Sequence, residues 1–570
     1  MNVLATTALL SALLLSACAN TDPTPVKVTP TQRPEESAAP NRELSAGLLY
    51  GILVSELAVQ RGGALAAAPA YLELAKETSD PRLARRAAEL ALSSGNLNVA
   101  DEALALWEQQ MPDSLLAKQQ RVMVLWREGR IAEAEQRMAT QLQGADISRA
   151  ASLFMHVTPL LPRQADPQAA AAAIERLSQQ FPRLPEAHFA QAVAAATLKD
   201  EAAVERSLDT LAELAPRWDL PVLWRLDAVR KQSPDLALAF LEKELKRRPR
   251  AGAELQLAHP RLLVGLRQYE AAREGFATVL KQFPHHPDAR YALGILAFQL
   301  KQYDEADQHL RAALEAGYVD GPFVRLTLGQ LAEERKQLEE AKTWYQAIGK
   351  GRHYNQAQAR LAAIEVKEGK LEAALARIEG LENDVADPIE LLLLQSQLAR
   401  EAGANAKAYQ LLSRGIKQFP AAATLYYERA LLADRLNRSH DAERDLRRFL
   451  RMKPNDVQGM NALGYTLANR GQRLPEARRL IEAALQQQPT NPMILDSMGW
   501  VLFRQGKLKD ALSYLEQAYE QMKDAEIAAH LGEVLWRLGQ RDAARQIWEE
   551  AKQRDPEHKV LQETLRRLKP

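Results

Sequence analysis

One cysteine, Cys18, among 570 residues leaves no thiol pair for a disulfide or a zinc site. Net charge is almost absent as well, since 74 Lys and Arg face 73 Asp and Glu. Without a global field the chain has no electrostatic footprint for nucleic acid or an anionic membrane. Two local basic runs, Lys246-Arg247-Arg248 with Arg250, and Arg444, Arg447, Arg448, Arg451 with Lys453, have the spacing of solvated helix faces. Neither is interleaved with aromatics, as a nucleic-acid platform would be. Alternating β-branched stretches are scarce, which excludes a fold built on sheets. There is no Gly-x-Ser-x-Gly elbow, no His-Glu-x-x-His and no phosphate-cradling glycine loop after a strand. The ten histidines are scattered, and His285-His286 follows Pro284 in a turn with no ligand pattern nearby. No catalytic residue, metal or cofactor is expected.

Helix formers are what the chain does have: Ala, Leu, Glu, Gln and Arg dominate it. They recur with a phase, clearest where Asn461-Ala462-Leu463-Gly464-Tyr465 is echoed by Leu495-Asp496-Ser497-Met498-Gly499-Trp500. Twelve or thirteen residues after each glycine stands an alanine, Ala477 or Ala511. A small residue in one helix meeting a small residue in its antiparallel neighbour, at a period near 34, is the tetratricopeptide pattern. The alanine register runs Ala67, Ala100, Ala134, Ala170, Ala203, Ala237 and Ala272, then on to Ala544 with eight intervals across 272 residues, an average of 34.

Independent positions agree with it. Glycine falls five residues before the alanine at Gly95, Gly129, Gly369, Gly403, Gly506 and Gly539, where a left-handed residue ends the first helix. Proline falls twelve residues after it at Pro112, Pro284, Pro420, Pro454, Pro489 and Pro556, where the second helix must stop. A large apolar residue follows the alanine by four, as at Leu310, Tyr345, Leu515 and Trp548, on the face turned toward the partner helix. The expected fold is all-α, a tetratricopeptide solenoid coiled as a right-handed superhelix. Such an array grows by adding units and needs no second core, so 570 residues do not demand several globular domains. Residues 43–270 form the more degenerate repeats, residues 271–556 the regular ones, and residues 557–570 a capping helix. Spacing stretches to 36 between Ala134 and Ala170, within the degenerate part.

The amino terminus reads as an address. The apolar run Val3–Leu15 is too short to span a bilayer comfortably, and Leu15-Ser16-Ala17-Cys18 resembles the lipobox of bacterial lipoproteins. That resemblance implies a signal peptide over 1–17 and a lipid on Cys18. Ala19 in place of an aspartate implies the outer membrane, with the body facing the periplasm. No Lys or Arg precedes the apolar run, a departure from the pattern. Five prolines, Pro23, Pro25, Pro30, Pro34 and Pro40, lie among polar residues and make 18–42 a tether of about 75 Å at full extension.

In this architecture the first helices line the concave surface, so their inward side chains are the default contacts. Counting from the small residue at repeat position eight gives Tyr427 and Arg435; Asn461, Tyr465 and Asn469; Asp496, Trp500, Phe503 and Arg504; and Trp536 and Arg537. Tyr291 and Phe298 form an earlier set. Aromatics beside arginines have the composition of interface hot spots. The Lys/Asn/Arg pattern that grips a peptide carboxylate is absent from these positions.

The tandem Asn461–Tyr465 and Leu495–Trp500 units, the inserted segment Arg470-Gly471-Gln472-Arg473-Leu474-Pro475-Glu476-Ala477, the lipobox and the tether together resemble a family of gamma-proteobacterial outer-membrane tetratricopeptide lipoproteins. Its nearest members are binding partners of the periplasmic carboxyl-terminal processing protease. The resemblance implies a non-catalytic adaptor that promotes that serine protease and brings it peptidoglycan cross-link hydrolases. Two other readings stay open. One is a pilotin-like assembly factor for a pilus or secretin, although such proteins have about six repeats. The other is the helical superstructure of a cell-wall lytic enzyme, which would need a catalytic domain that the repeats leave no room for.

Overall fold

The computed structural model describes residues 45–381 and 387–569. Cys18 and the tether lie outside the described residues. Within them are 31 α-helices, one 3₁₀ turn and no strand. No helix among the described residues is long and apolar enough to cross a membrane.

Sequence chemistry accounts for where the helices start and stop. Prolines open the helices Pro287–Gln299, Pro388–Glu401 and Pro492–Arg504, where the missing N–H would have no intrahelical partner. Aspartates and asparagines cap exposed N–H groups: Asp456 accepts from Gly459, Asn491 from Met493 and Asp524 from Glu526. At the other end Gly95, Gly129, Gly369, Gly403, Gly506 and Gly539 all have positive φ, as their register requires. The same position is left-handed where no glycine marks it, at Arg267, Lys301, Lys336 and Asn437. Register therefore overrides residue preference there.

The helices pair through a close approach at repeat position eight. A Cβ on Gly464 would lie 2.5 Å from Ile481 and 2.9 Å from the carbonyl oxygen of Ala477. On Gly499 it would lie 2.5 Å from Leu515 and 3.1 Å from the carbonyl of Ala511. Gly294 meets Leu310, Gly329 meets Tyr345 and Gly532 meets Trp548 in the same way. The small residue thus makes room both for the backbone beside the alanine and for the large side chain four residues on. Ala272, Ala306, Ala341, Ala374, Ala408, Ala442, Ala477, Ala511 and Ala544 are all fully buried.

One register position differs from the sequence reading. Ala203 is only half-buried, and Val204 takes the enclosed place. The left-handed residue, Lys199, correspondingly falls five before Val204. The long spacing after Ala134 also has a local cause. The turn Thr158–Arg163, carrying Pro159 and Pro162, is inserted between the helices Ile147–Val157 and Pro167–Ser178. Gln164 pins it by donating to the carbonyls of Trp126 and Leu160, at 2.8 and 3.0 Å.

Two compact units result, one ending at Tyr318 and the other beginning at Val319. In the first, successive cores are built around Tyr71 and Trp107, around Trp126 and Phe154, and around Val222 and Leu241. In the second, the largest core runs from Ala430 to Leu561 and takes in the helix Lys559–Leu568. Leu561 fills that core while Arg566 and Arg567 stay outside its apolar side.

The close approach generates a test. Gly499→Ala places a methyl against backbone and should lower the urea-unfolding free energy by about 1–3 kcal/mol. Gly47 is helical with nothing within 4 Å of its would-be Cβ. Gly47→Ala should leave stability unchanged or raise it by up to about 1 kcal/mol. Equal effects at the two sites would contradict the packing described.

Candidate interaction surface

Four successive first helices of the second unit, Ala423–Arg435, Val457–Asn469, Pro492–Arg504 and Ala525–Arg537, carry most of the expected contact residues. Their inner side chains fall into two groups. The aromatic ones turn inward between repeats, and the residues one turn further along the helix reach solvent.

Trp500 is the centre of the first group and is only 7% exposed. Its ring stacks on His530 of the next first helix at 4.0 Å and on Phe503 of its own helix at 5.0 Å. His530, itself 2% exposed, is held by Asp496, whose two carboxylate oxygens lie 2.9 and 3.1 Å from Nδ1. The hydroxyl of Tyr465 donates to Glu526, two repeats along. Glu533 is buried and accepts from Arg567 of the final helix, at 2.7 Å in one of two bonds. Asn461 Oδ1 and Trp500 Nε1 are enclosed without a hydrogen-bond partner among the described residues. Tyr427 is half-buried beside Phe449, at 5.1 Å.

These ties set the local electrostatics. Burial alone would push the His530 imidazole toward the neutral form. The Asp496 carboxylate, by charge and hydrogen bond, together with Glu526 and Glu533, outweighs it and raises the pKa above the ordinary histidine value. Burial and the Glu526 charge hold the Tyr465 phenol well above its usual range, so it remains a proton donor. Burial, then the nearby Glu526, also raises Asp434.

The second group is a ladder. Arg435, Asn469, Arg504 and Arg537 each lie five residues beyond the small residue at position eight of their repeats, Ala430, Gly464, Gly499 and Gly532. Arg435, Asn469 and Arg537 are exposed. Arg504 is half-buried, because its guanidinium donates to the Asn469 carbonyl at 2.6 Å and lies 5.8 Å from the Trp500 ring centre. Trp536 is half-buried, with Arg541 and Arg545 over its ring at 5.0 and 5.7 Å.

The earlier set belongs to the first unit. Tyr291 is 2% exposed and stacks on Tyr318 at 4.3 Å, and Phe298 is half-buried 6.3 Å from Tyr303. The sequence pattern alone places these aromatics at exposed positions, but Tyr291 and Trp500 are enclosed. The reason is the same for both: a ring from a later segment of its own unit covers them. Trp500 forms part of the floor of the surface in the second unit, and Tyr291 belongs to the interior of the first.

Two things the sequence did not suggest are present. His530 and Glu526 complete the polar network, and His530 stands 34 residues after Asp496, two residues before Gly532 where Asp496 is three before Gly499. Superposing repeats would have set them one residue apart on neighbouring first helices. In the first unit His286 Nε2 lies 3.7 Å from Glu254 and Nδ1 3.9 Å from Asp288, a grouping that linear spacing conceals. Arg261 reaches the same two carboxylates, at 3.2 and 3.5 Å, and supplies their counter-charge.

The His530 site predicts a pH dependence. With its folded pKa raised, the Asp496–His530 contribution is complete below about pH 6.5, the unfolded value, and is lost as pH rises through the folded value. In a pH series of urea midpoints, wild type should lose stability through that range. Asp496→Asn should start lower and flatten this part of the profile. Parallel profiles above pH 6.5 would remove His530 from the account.

Tetratricopeptide-repeat family models match residues 257–318, 427–492 and 502–568. Among solved structures, a tetratricopeptide repeat protein from Parabacteroides merdae is 17% identical and covers 49% of this chain and 97% of its own, with a TM-score of 0.33. PilW, described as a type IV pilus biogenesis factor, is 19% identical and covers 38% of this chain and all of its own, with a TM-score of 0.31. Partial likenesses of this size carry no functional argument. Across most of its length the chain is similar to TPR repeat-containing protein PA4667 of Pseudomonas aeruginosa, 33% identical over 509 residues that span 88% of this chain and 84% of that protein. The chain belongs to the tetratricopeptide-repeat family of that protein.

Proposed function

We propose that the protein is a non-catalytic adaptor, lipid-anchored at Cys18 to the outer membrane and facing the periplasm. It binds a carboxyl-terminal processing serine protease, promotes its activity and presents peptidoglycan cross-link hydrolases to it. Tetratricopeptide arrays are protein-binding scaffolds, and a long array offers separate surfaces to two proteins, raising their effective concentration for each other. The observation that carries the reading is the polar ladder of Arg435, Asn469, Arg504 and Arg537 over a floor pinned by Asp496–His530, Tyr465–Glu526 and Glu533–Arg567. A preorganised floor limits the ordering lost on binding, and exposed guanidiniums supply oriented donors to a partner.

The purified body should show no peptidase or muralytic activity alone, and should raise peptide-bond cleavage by an added carboxyl-terminal processing protease. Arg435→Glu with Arg537→Glu leaves the buried floor intact and should weaken capture of the protease or the hydrolase by about tenfold or more in a pull-down, as expected for lost charged contacts. Turnover of peptidoglycan by the isolated protein, or capture of neither partner, would refute the reading. Cys18→Ser should move the protein from the membrane to the soluble periplasmic fraction, because the acyl chains are its proposed hold on the bilayer. Unchanged fractionation would refute the anchor alone.

A further inference from the structure

In the first unit, two successive inter-repeat turns flank an open cleft of about 640 Å³, lined by Ala215, Pro216, Arg217, Trp218, Pro249 and Arg250. The floor is apolar, made by one indole and two prolines, and each turn contributes one arginine. We infer that this cleft is a docking site for an extended, proline-containing acidic segment of a partner protein.

The cleft is built before any partner arrives. Asp219 ties the two turns together, accepting from the Gly252 N–H at 3.1 Å and the Leu255 N–H at 3.4 Å, so the first turn caps the helix that follows the second. Position 252 must be glycine for this, since a Cβ there would lie 2.4 Å from the Asp219 carboxylate. Arg248, behind the lining, ties the second turn to the helix before the first. It is fully buried, held by Glu244 at 3.4 Å, and donates to the Leu208 carbonyl of the helix preceding the first turn, at 3.3 Å. Trp218 is fixed by an edge-to-face contact with Phe189 at 5.5 Å. A groove whose walls are already held gives up little entropy on binding.

Its chemistry narrows the occupant. The basic run that looked like one solvated face is divided by the fold: Arg247 is bonded to Asp209 and Glu244, and Arg248 is buried. Arg250 and Arg217 are exposed and have no ion pair or hydrogen bond among the described residues. Two free guanidiniums beside an apolar floor match two carboxylates beside an apolar residue. A tryptophan with flanking prolines suits the rigid, low-entropy conformation of a proline-containing segment, as in other aromatic grooves. Nucleic acid would need a longer basic track and stacking faces along it. This inference does not depend on the identity of the partner protease.

The test uses the full-length protein and a fluorescein-labelled peptide, Gly-Glu-Pro-Leu-Pro-Glu-Gly, read by fluorescence anisotropy. The same peptide with lysine in place of each glutamate is the control, and an unlabelled oligothymidylate is the competitor. The acidic peptide should bind, the lysine peptide should not, and Arg217→Gln with Arg250→Gln should weaken binding about tenfold. These two exposed substitutions spare the walls, and an unchanged helical circular dichroism spectrum confirms it. Pro216→Ser probes the floor separately and should weaken binding of the acidic peptide without altering its preference over the lysine peptide. Equal binding by wild type and the arginine variant, equal binding of both peptides, or displacement by the oligonucleotide at equimolar concentration would overturn the proposal.

Discussion

Everything in this protein rests on how closely two antiparallel helices approach at one repeat position. Where Gly464 or Gly499 stands, no side chain fits between the first helix and the carbonyl at Ala477 or Ala511. That approach lets the large residue four positions on, Ile481 or Leu515, lie across the partner backbone. Each methylene buried there contributes about 0.8 kcal/mol, and close packing makes its loss felt. The contact recurs at an average spacing of 34 residues, so it sets the phase of every helix after it. Turn residues then conform: lysine, arginine and asparagine accept left-handed backbone at Lys301, Arg267 and Asn437 because the pairing fixes where the first helix ends.

Polar ties across repeats play a different part. Arg176–Glu135, Lys243–Glu205 and Lys407–Glu372 are exposed ion pairs, each worth at most about 1 kcal/mol. The buried ties differ in kind. Asp496–His530 and Glu533–Arg567, and within one repeat Arg429–Asp445, each place a carboxylate where water does not reach it, and removing its partner would leave that carboxylate uncompensated. Each joins two helices at a fixed point. They cluster in the last repeats of the second unit, beneath the polar ladder. The proposed contact surface would profit from that constraint, since a floor already held in place loses little freedom on binding.

Helix positions and register were legible in the sequence because several independent markers repeat together: the small residue, the buried alanine, the left-handed glycine and the terminating proline. Where the markers thin, the register read from sequence slips by one, at Ala203 instead of Val204, because alanine and valine there are both apolar and no glycine anchors the turn. The inserted turn Thr158–Arg163 was legible only as a longer interval. His286 among Glu254 and Asp288 was not legible at all, since linear spacing says nothing of a neighbour on the preceding first helix.

The exposure of the inner aromatics was the hardest feature to read, and the reason is physical. A residue on the inner face of a first helix has its surroundings decided by the next repeat. Trp500 is enclosed because the next first helix supplies His530, a flat ring of matching size that Asp496 holds in place. One repeat later Glu533 stands at the place of Trp500 and Trp536 at the place of Phe503, and the inner helix stacked beside them is the final one, Lys559–Leu568, which has no ring to lay on Trp536. Two arginines of its own repeat, Arg541 and Arg545, cover the Trp536 face instead, and the indole stays partly open. Inner aromatics therefore end as a core residue in one repeat and a partly accessible one in the next, according to what the neighbouring helix supplies. Contact surfaces in such arrays are best sought at the turn beyond the aromatics, where Arg435, Asn469 and Arg537 reach solvent whatever the neighbouring repeat provides.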